Sequence, residues 1–230
     1  MPKAGTHTQL VYQALRRAIL EQALEPGLKL PEEVIGDEFG VSRTIVRRAF
    51  ELLAADEIVE FKPNRGAFVA KPTIEEALDA FNVRIDIELL VVGHVVGKLT
   101  SAQIEKLNAS VDQELISHQA GSSEYFHRAS EFHILISEFS GSKLLSQYVK
   151  TLVSKSALIL GLYGRPNWAN CNVKEHRELI DALAGHDVAY AQNLMRQHLE
   201  SLRARAFESE NVRGSHGFKN ILAQYSQIKP

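Results

Sequence analysis

The stretch that most constrains the fold is residues 30–69, which read LPEEVIGDEFGVSRTIVRRAFELLAADEIVEFKPNRGAFV. Two short runs with helical spacing lie on either side of a tight turn at Gly40. Two strand-like runs follow, joined by a Pro-Asn-Arg-Gly turn. Gly40 is suited to end the first helix, and Ser42 is suited to cap the second. This order predicts a helix-turn-helix followed by a β-hairpin.

The second helix has two contrasting faces. Its apolar residues are spaced to form one buried face, namely Ile45, Val46, Ala49, Phe50, Leu52 and Leu53. Its other face begins with four polar residues: Arg43, Thr44, Arg47 and Arg48. Arginine and threonine at the N-terminal end of such a helix suit the major groove of DNA. A solvated basic surface is the alternative, but the spacing coincides with a hairpin that carries Lys62 and Arg65 at its tip, which favours sequence-specific DNA binding.

Short motifs in this region also point to a family. They are Pro26-Gly27, Leu30-Pro31-Glu32-Glu33, Gly40-Val41-Ser42-Arg43-Thr44, Val46-Arg47 and Arg65-Gly66-Ala67-Phe68-Val69. With them, residues 11–69 closely resemble the winged helix-turn-helix of GntR-family transcription regulators. The resemblance implies DNA contacts from Ser42, Arg43, Thr44, Arg47 and the wing tip Arg65-Gly66. Two positions depart from the pattern, since Val34 stands where many relatives have arginine and Glu57 where glycine is usual.

Composition limits the other possibilities. The chain has 230 residues, 45% hydrophobic residues and a formal net charge of −2, so nucleic-acid contact has to come from a local basic patch. The single cysteine, Cys171, cannot form an intrachain disulfide. The longest apolar run, IELLVVGHVV, is too short to cross a bilayer, and the N-terminus lacks an apolar signal core. We therefore expect a cytoplasmic protein without membrane association.

The remainder of the chain is almost wholly helical in pattern. We expect a domain boundary at Pro72, giving a winged helix-turn-helix domain over residues 1–72 and a helical domain over residues 73–230. Helices are predicted near 74–98, 101–118, 123–139, 142–162, 173–184 and 187–208, with a further short helix near 217–226. Short loops between them favour an antiparallel bundle. The predicted fold is therefore mainly α, with a small β-hairpin wing as its sheet.

Three of the nine histidines fall on apolar helix faces: His133, His176 and His198. If the last two predicted bundle helices turn at Gly185-His186, His176 and His198 lie at nearly the same level of an antiparallel hairpin. Two imidazoles that face a core at one level can share a metal ion. A core histidine hydrogen-bonded to a neighbour is the alternative, and the spacing alone leaves both open.

Motifs in the helical region extend the resemblance. They are Val83-Arg84 with Glu88, Glu131-Phe132-His133, Glu175-His176-Arg177, and Gly185-His186-Asp187 leading to Arg196-Gln197-His198-Leu199. Residues 80–200 resemble the FCD effector domain of the FadR-type branch. The resemblance implies that His133, His176 and His198 bind a divalent metal such as Zn, Ni or Mn. The usual fourth ligand, an Asp, is replaced by Ala129, and Ser130 is a candidate substitute.

Arg84 has two interpretations. It lies in an apolar run with Glu88 one turn later, which is the spacing of a surface ion pair. The resemblance implies instead that its guanidinium binds the carboxylate of an effector.

These observations predict a ligand-responsive transcription regulator, a repressor as is most common in this family. We expect a homodimer on a short inverted-repeat operator, with an organic acid as effector. One alternative is a constitutive DNA-binding dimer with a purely structural helical domain. The other is a metal-dependent enzyme, against which the sequence has no HExxH motif, phosphate loop or nucleophile–base pair.

Overall fold

The computed structural model describes residues 4–163, 172–207 and 218–226. The N-terminal elements are α1 (Ala4–Leu20), β1 (Lys29–Leu30), α2 (Glu32–Phe39), α3 (Arg43–Ala55), β2 (Val59–Lys62) and β3 (Gly66–Val69). Then come α4 (Ile74–Val95), α5 (Ser101–Gln119), α6 (Glu124–Phe139), α7 (Lys143–Tyr163), α8 (Asn172–Ala184), α9 (Val188–Phe207) and α10 (Phe218–Ser226). The fold is mainly helical, as predicted.

The first unit is a winged helix. Helices α2 and α3 are joined by a turn in which Gly40 takes a left-handed conformation with φ of 62°. Gly36 is also required, because a Cβ there would lie 2.9 Å from the carbonyl oxygen of Val41. Strands β2 and β3 form the predicted antiparallel hairpin, with Phe61 opposite Ala67.

The sheet has one strand that the sequence did not predict. Strand β1 pairs antiparallel with β3, so the order in the sheet is β1-β3-β2. A two-residue strand has no alternating pattern to detect. It forms because β3 offers an edge, and because Leu30 is buried against the unit's core.

Helices α4 to α9 form the predicted bundle, each within three residues of the predicted ends. Thr73 and Glu76 form a capping box at the start of α4, and Thr100 and Gln103 do the same at α5. The main core is built from buried aliphatic side chains of α4, α5, α6, α7, α8 and α9, with Phe132 as its aromatic member. Cys171 lies outside the described residues.

The division of the chain differs from the expected one at its C-terminal end. Contacts separate Met1–Lys71 together with Val212–Pro230 from Pro72–Asn211. The N-terminal segment of the first unit ends at Lys71, and Pro72 already belongs to the second unit. In addition, α10 packs against α1 and α2 of the first unit. The helix was predicted at this position, but the unit to which it belongs depends on long-range packing.

Candidate DNA-reading face and candidate metal centre

Helix α3 presents its basic residues to solvent. Val46, Ala49, Phe50 and Leu53 are buried, whereas Ser42, Arg43, Thr44, Arg47 and Arg48 are exposed. Leu52, expected on the buried face, is 41% exposed. Ser42 stands at the N-cap position but makes no side-chain capping hydrogen bond. The start of the helix therefore projects polar groups outward from a rigid apolar back.

Within this face, Arg43 has a neighbour on α2. Its Nη2 lies 2.8 Å from Oε1 of Glu33, and both side chains are about two-thirds exposed. Exposed pairs of this kind contribute little to stability. The pair therefore leaves Arg43 able to exchange Glu33 for another acceptor.

The wing tip is also exposed and basic. Lys62 Nζ and the Arg65 guanidinium lie 4.8 and 5.5 Å from the centre of the Phe68 ring. Gly66 has φ of 94°, a conformation that favours glycine. The hairpin thus holds two cations over an aromatic ring at the end of the sheet.

Two other arginines of this unit, Arg16 and Arg17, form ion pairs within it. Arg16 is buried with its Nε 3.8 Å from Asp56, and Arg17 Nε donates to Glu21 at 2.6 Å. Both are used inside the unit.

In the helical unit, the structure brings His133, His176 and His198 together from α6, α8 and α9. One ligand nitrogen from each lies within 4.8 Å of the others, and all three side chains are buried. The His176 and His198 ring centres are 4.9 Å apart, consistent with their equal level in the α8–α9 hairpin. Phe132 stacks on His176 with ring centres 4.1 Å apart and closes one side of the cluster.

Each histidine is oriented by its own carboxylate. The Nδ1 atoms of His133, His176 and His198 lie 2.6, 2.7 and 2.6 Å from Glu88, Glu114 and Glu175 respectively. A carboxylate accepts the Nδ1 proton, which fixes the tautomer and turns Nε2 inward. This is the usual outer arrangement around metal-binding histidines.

Protonation of two of the rings is disfavoured. Burial lowers the pKa of His133 to about 3, although Glu88 opposes this, and burial also lowers the pKa of His198. Burial by itself raises the pKa of Glu88, but His133 and Arg84 outweigh it and the pKa falls to about 2. At neutral pH the two rings are therefore neutral and Glu88 is ionised.

The inner atoms of this cluster fit a cation. The Nδ1–H groups of His133 and His198 donate hydrogen bonds to carboxylates, so both Nε2 atoms carry lone pairs. These two Nε2 atoms are 3.2 Å apart. Two ligands on a tetrahedral metal with bonds of about 2.0–2.1 Å have a similar separation. Among the described residues, Nε2 of His176 has no hydrogen-bond partner. A positive ion would satisfy all three nitrogens.

The position of the usual fourth ligand supplies no oxygen. Ala129 is buried one turn before His133. The Ser130 hydroxyl donates to the Phe126 carbonyl at 2.9 Å, which makes it a poor substitute. Glu131 is 40% exposed and lies 3.9 Å from His127. The protein ligands brought together here are therefore three nitrogens.

Arg84 is paired, but not at the surface. Its Nε donates to Oε1 of Glu88 at 2.6 Å, and both side chains are 3% exposed. Because Oε2 of the same carboxylate holds His133, Arg84 is linked through Glu88 to the histidine cluster.

Glu114 was missed by the sequence analysis. It is fully buried on α5, yet it lies on the apolar face of that helix with Leu107 and Val111. Glu114 follows Leu107 by seven residues and Val111 by three, which places it on the same buried helix face. A carboxylate on such a face is unusual, since a buried carboxylate needs a partner. That placement was the available signal.

The architecture and these two regions define a class of protein: a winged-helix DNA-binding unit joined to an all-helical unit with a buried histidine cluster. Family models agree with this, since residues 7–69 match the bacterial regulatory proteins of the gntR family and residues 79–201 match the FCD domain. The chain belongs to the gntR family of bacterial transcription regulators, in the group that carries an FCD domain.

Named relatives are transcription regulators rather than enzymes. The chain is 25% identical to the HTH-type transcriptional repressor RspR of Escherichia coli K12 over 89% of this chain and 88% of that protein. It is 26% identical to the Uxu operon transcriptional regulator of the same organism, covering 91% and 92%. A GntR regulator from Rhodococcus sp. RHA1 shares the fold, with a TM-score of 0.74 at 23% identity, covering 87% of this chain and 97% of that one.

One further property concerns membranes. Across the described ranges, no helix combines the length and the apolar character that crossing a bilayer requires.

Proposed function

We propose that this regulator is a homodimeric repressor that reads a short inverted repeat and whose helical unit senses an organic acid through a bound divalent metal. A bacterial regulator that binds DNA works in the cytoplasm, and we place this one there. The observation that carries the sensing role is the convergence of three buried histidines, each held by a carboxylate.

For DNA, α3 supplies base contacts in the major groove through Arg43, Thr44, Arg47 and Arg48, with Ser42 at the helix start. Arg65 and Gly66 at the wing tip contact the backbone or minor groove. The support is exposure, since these residues project from an element whose opposite side is buried.

Dimerisation follows from the size of the reading element. One α3 helix reads only a few base pairs, and a second copy is needed for useful specificity. Helices α4 and α7, which pack together, expose apolar side chains at helical spacing: Val83 and Leu90 on α4, Leu144 and Tyr148 on α7. We assign these to the contact with a second copy.

This contact is tested by replacing Leu90 or Leu144 with glutamate and measuring the molar mass by light scattering. We expect a shift towards monomer, because a charge would be buried at the interface. Ile116→Glu on α5, which is 57% exposed, serves as the matched control and is expected to stay dimeric. A dimer that survives both interface substitutions contradicts the assignment.

For the metal, Nε2 of His133, His176 and His198 are the proposed ligands, and Zn, Ni and Mn are the candidate ions. A bound ion with three nitrogen ligands offers Lewis-acid positions to a carboxylate oxygen. The Arg84 guanidinium, which has five N–H donors, is proposed to bind a second oxygen of the acid while its Nε remains on Glu88.

The deciding experiment is metal analysis of the purified protein, followed by a thermal-shift screen with small carboxylic acids. We expect about one divalent ion per chain, which His176→Ala and His198→Ala lose together with the acid response. Arg84→Lys is expected to weaken the acid more than the metal. The metal proposal is contradicted if wild-type protein takes up no Zn, Ni or Mn and matches His176→Ala in every assay. The alternative of a constitutive DNA-binding dimer would then be favoured.

Ala129→Asp tests the metal site by adding a ligand, where the histidine variants remove one. A new buried carboxylate without a cation is costly, so the metal-free variant is expected to melt below wild type. Added Zn²⁺ is expected to restore the loss, since a ligand at 100 times its Kd stabilises by about 2.7 kcal/mol. Ala182→Asp, at another buried alanine, is the control that Zn²⁺ does not rescue. If Zn²⁺ rescues neither variant, the cluster is not a metal site.

A further inference from the structure

The C-terminal helix α10 is seated on the DNA-binding unit. It packs against α1 and α2, and three of its side chains are buried there: Ile221, Leu222 and Tyr225. The chain therefore contributes to this unit twice, once through residues 4–71 and again through a helix that follows the bundle.

A buried polar contact accompanies this packing. The Tyr225 hydroxyl donates to Oε2 of Glu21, while Oε1 of the same carboxylate accepts from Arg17 Nε at 2.6 Å. Glu21 and Tyr225 are 6% and 5% exposed. Removing one partner from a buried carboxylate is strongly unfavourable, so the unit has a specific acceptor for this helix.

A second polar contact lies at the end of α10. The Ser226 hydroxyl lies 3.1 Å from Oε1 of Glu38, an exposed residue on α2. The two contacts place α10 across both helices on which the reading helix rests, because α3 packs against α1 and α2.

We propose that α10 is an intrachain clamp on the DNA-binding unit, and that its docking on α1 and α2 is required for full operator affinity. Undocking would expose the apolar surface under Leu222 and leave Glu21 without the Tyr225 hydroxyl. Helices α1 and α2 would then hold α3 less firmly. The clamp also gives the helical unit a second covalent connection to the DNA-binding unit, in addition to the one at Pro72.

The test uses full-length chains and an operator selected in vitro with wild-type protein. Leu222→Ala is expected to weaken operator binding at least 10-fold and to speed amide hydrogen exchange in α1, α2 and α10, with α4–α9 unchanged. Tyr225→Phe, which removes one hydroxyl, is expected to show the same changes to a smaller degree. Ser226→Ala removes the exposed contact with Glu38 and a hydrogen bond to the Ala223 carbonyl within α10, and leaves the contact between Tyr225 and Glu21 in place. It is the control, with operator affinity expected within twofold of wild type.

Leu222→Ala protein that binds operator within twofold of wild type, or leaves exchange in α1 and α2 unaltered, overturns the proposal. If Tyr225→Phe has wild-type operator affinity and wild-type amide exchange, the hydrogen bond to Glu21 has no part in holding α10.

Whether α10 comes from the same chain is tested by cross-linking. Glu38→Cys and Ser226→Cys are combined in a Cys171→Ser background and joined with a short bismaleimide. We expect cross-linked product at the mass of one chain. Product only at the mass of two chains would show that α10 clamps a second copy, and would overturn the intrachain assignment.

Discussion

The reading face of α3 and the histidine cluster use charge in opposite ways. On α3 the arginines are exposed, and the Arg43–Glu33 pair is open to solvent. In the cluster, Glu88 and Glu114 are buried and each is committed to a histidine. Weak pairing suits the role proposed for α3, since an exposed ion pair is easily exchanged for a DNA phosphate or base. Buried partners suit the role proposed for the histidines, since they hold the nitrogen lone pairs in fixed directions.

The largest effect that separates the two regions is expected from Arg47→Ala. A bidentate arginine–guanine pair contributes about 1–3 kcal/mol of discrimination, and the proposed dimer would lose two such pairs. Operator affinity at fixed salt should therefore fall by at least 10-fold, while thermal unfolding stays unchanged because Arg47 is exposed. Glu51→Ala, exposed further along the same helix, is the control. Equal affinity of the Arg47 variant and wild type would mean that another element reads the operator.

Glu114→Gln is expected to act on the cluster alone. It keeps the size of the side chain but replaces the carboxylate that accepts from His176. Loss of such an outer partner typically weakens metal affinity by about 10–100-fold. Zn²⁺ titration with a competing chelator measures this, with Glu131→Gln, on the exposed side of α6, as the control. Equal Zn²⁺ affinities for both variants would contradict the role of Glu114 in orienting His176.

A smaller effect is expected from Glu57→Gly in the DNA-binding unit. Glu57, which stands where glycine is usual in relatives, has φ of 58° just after α3. A left-handed conformation costs a non-glycine residue about 1 kcal/mol. Chemical denaturation should show a gain of about that size. A loss of stability would indicate that the Glu57 side chain makes contacts worth more than the strain.

The smallest effect is expected from Glu33→Gln, which breaks the exposed pair with Arg43. Exposed pairs contribute less than about 1 kcal/mol, so the midpoint of unfolding should barely move. Operator affinity should rise slightly, because one negative charge near the phosphates is removed. A large loss of stability would show that the two regions do not differ as described.

The sequence determined most of the fold because its signals are local. Gly40, the apolar face of α3 and the hairpin turn fixed the winged helix, and capping boxes with helical periodicity fixed the bundle helices. The proximity of His176 and His198 could also be predicted, since the rise per residue of two antiparallel helices joined by a short turn is known.

Tertiary structure alone decided which charges meet. Arg16 is buried and pairs with Asp56, which lies on the far side of α2 and α3 in the sequence. Arg84 has the spacing of a surface pair but is buried, and Glu114 gains its role from a histidine 62 residues later. Likewise, the sequence of α10 indicates only a short amphipathic helix. Its hydrogen bond from Tyr225 to Glu21 joins residues that are 204 positions apart. Helical periodicity reports which side of an element is buried, but the partner of a buried charge depends on packing between elements that are distant in the chain.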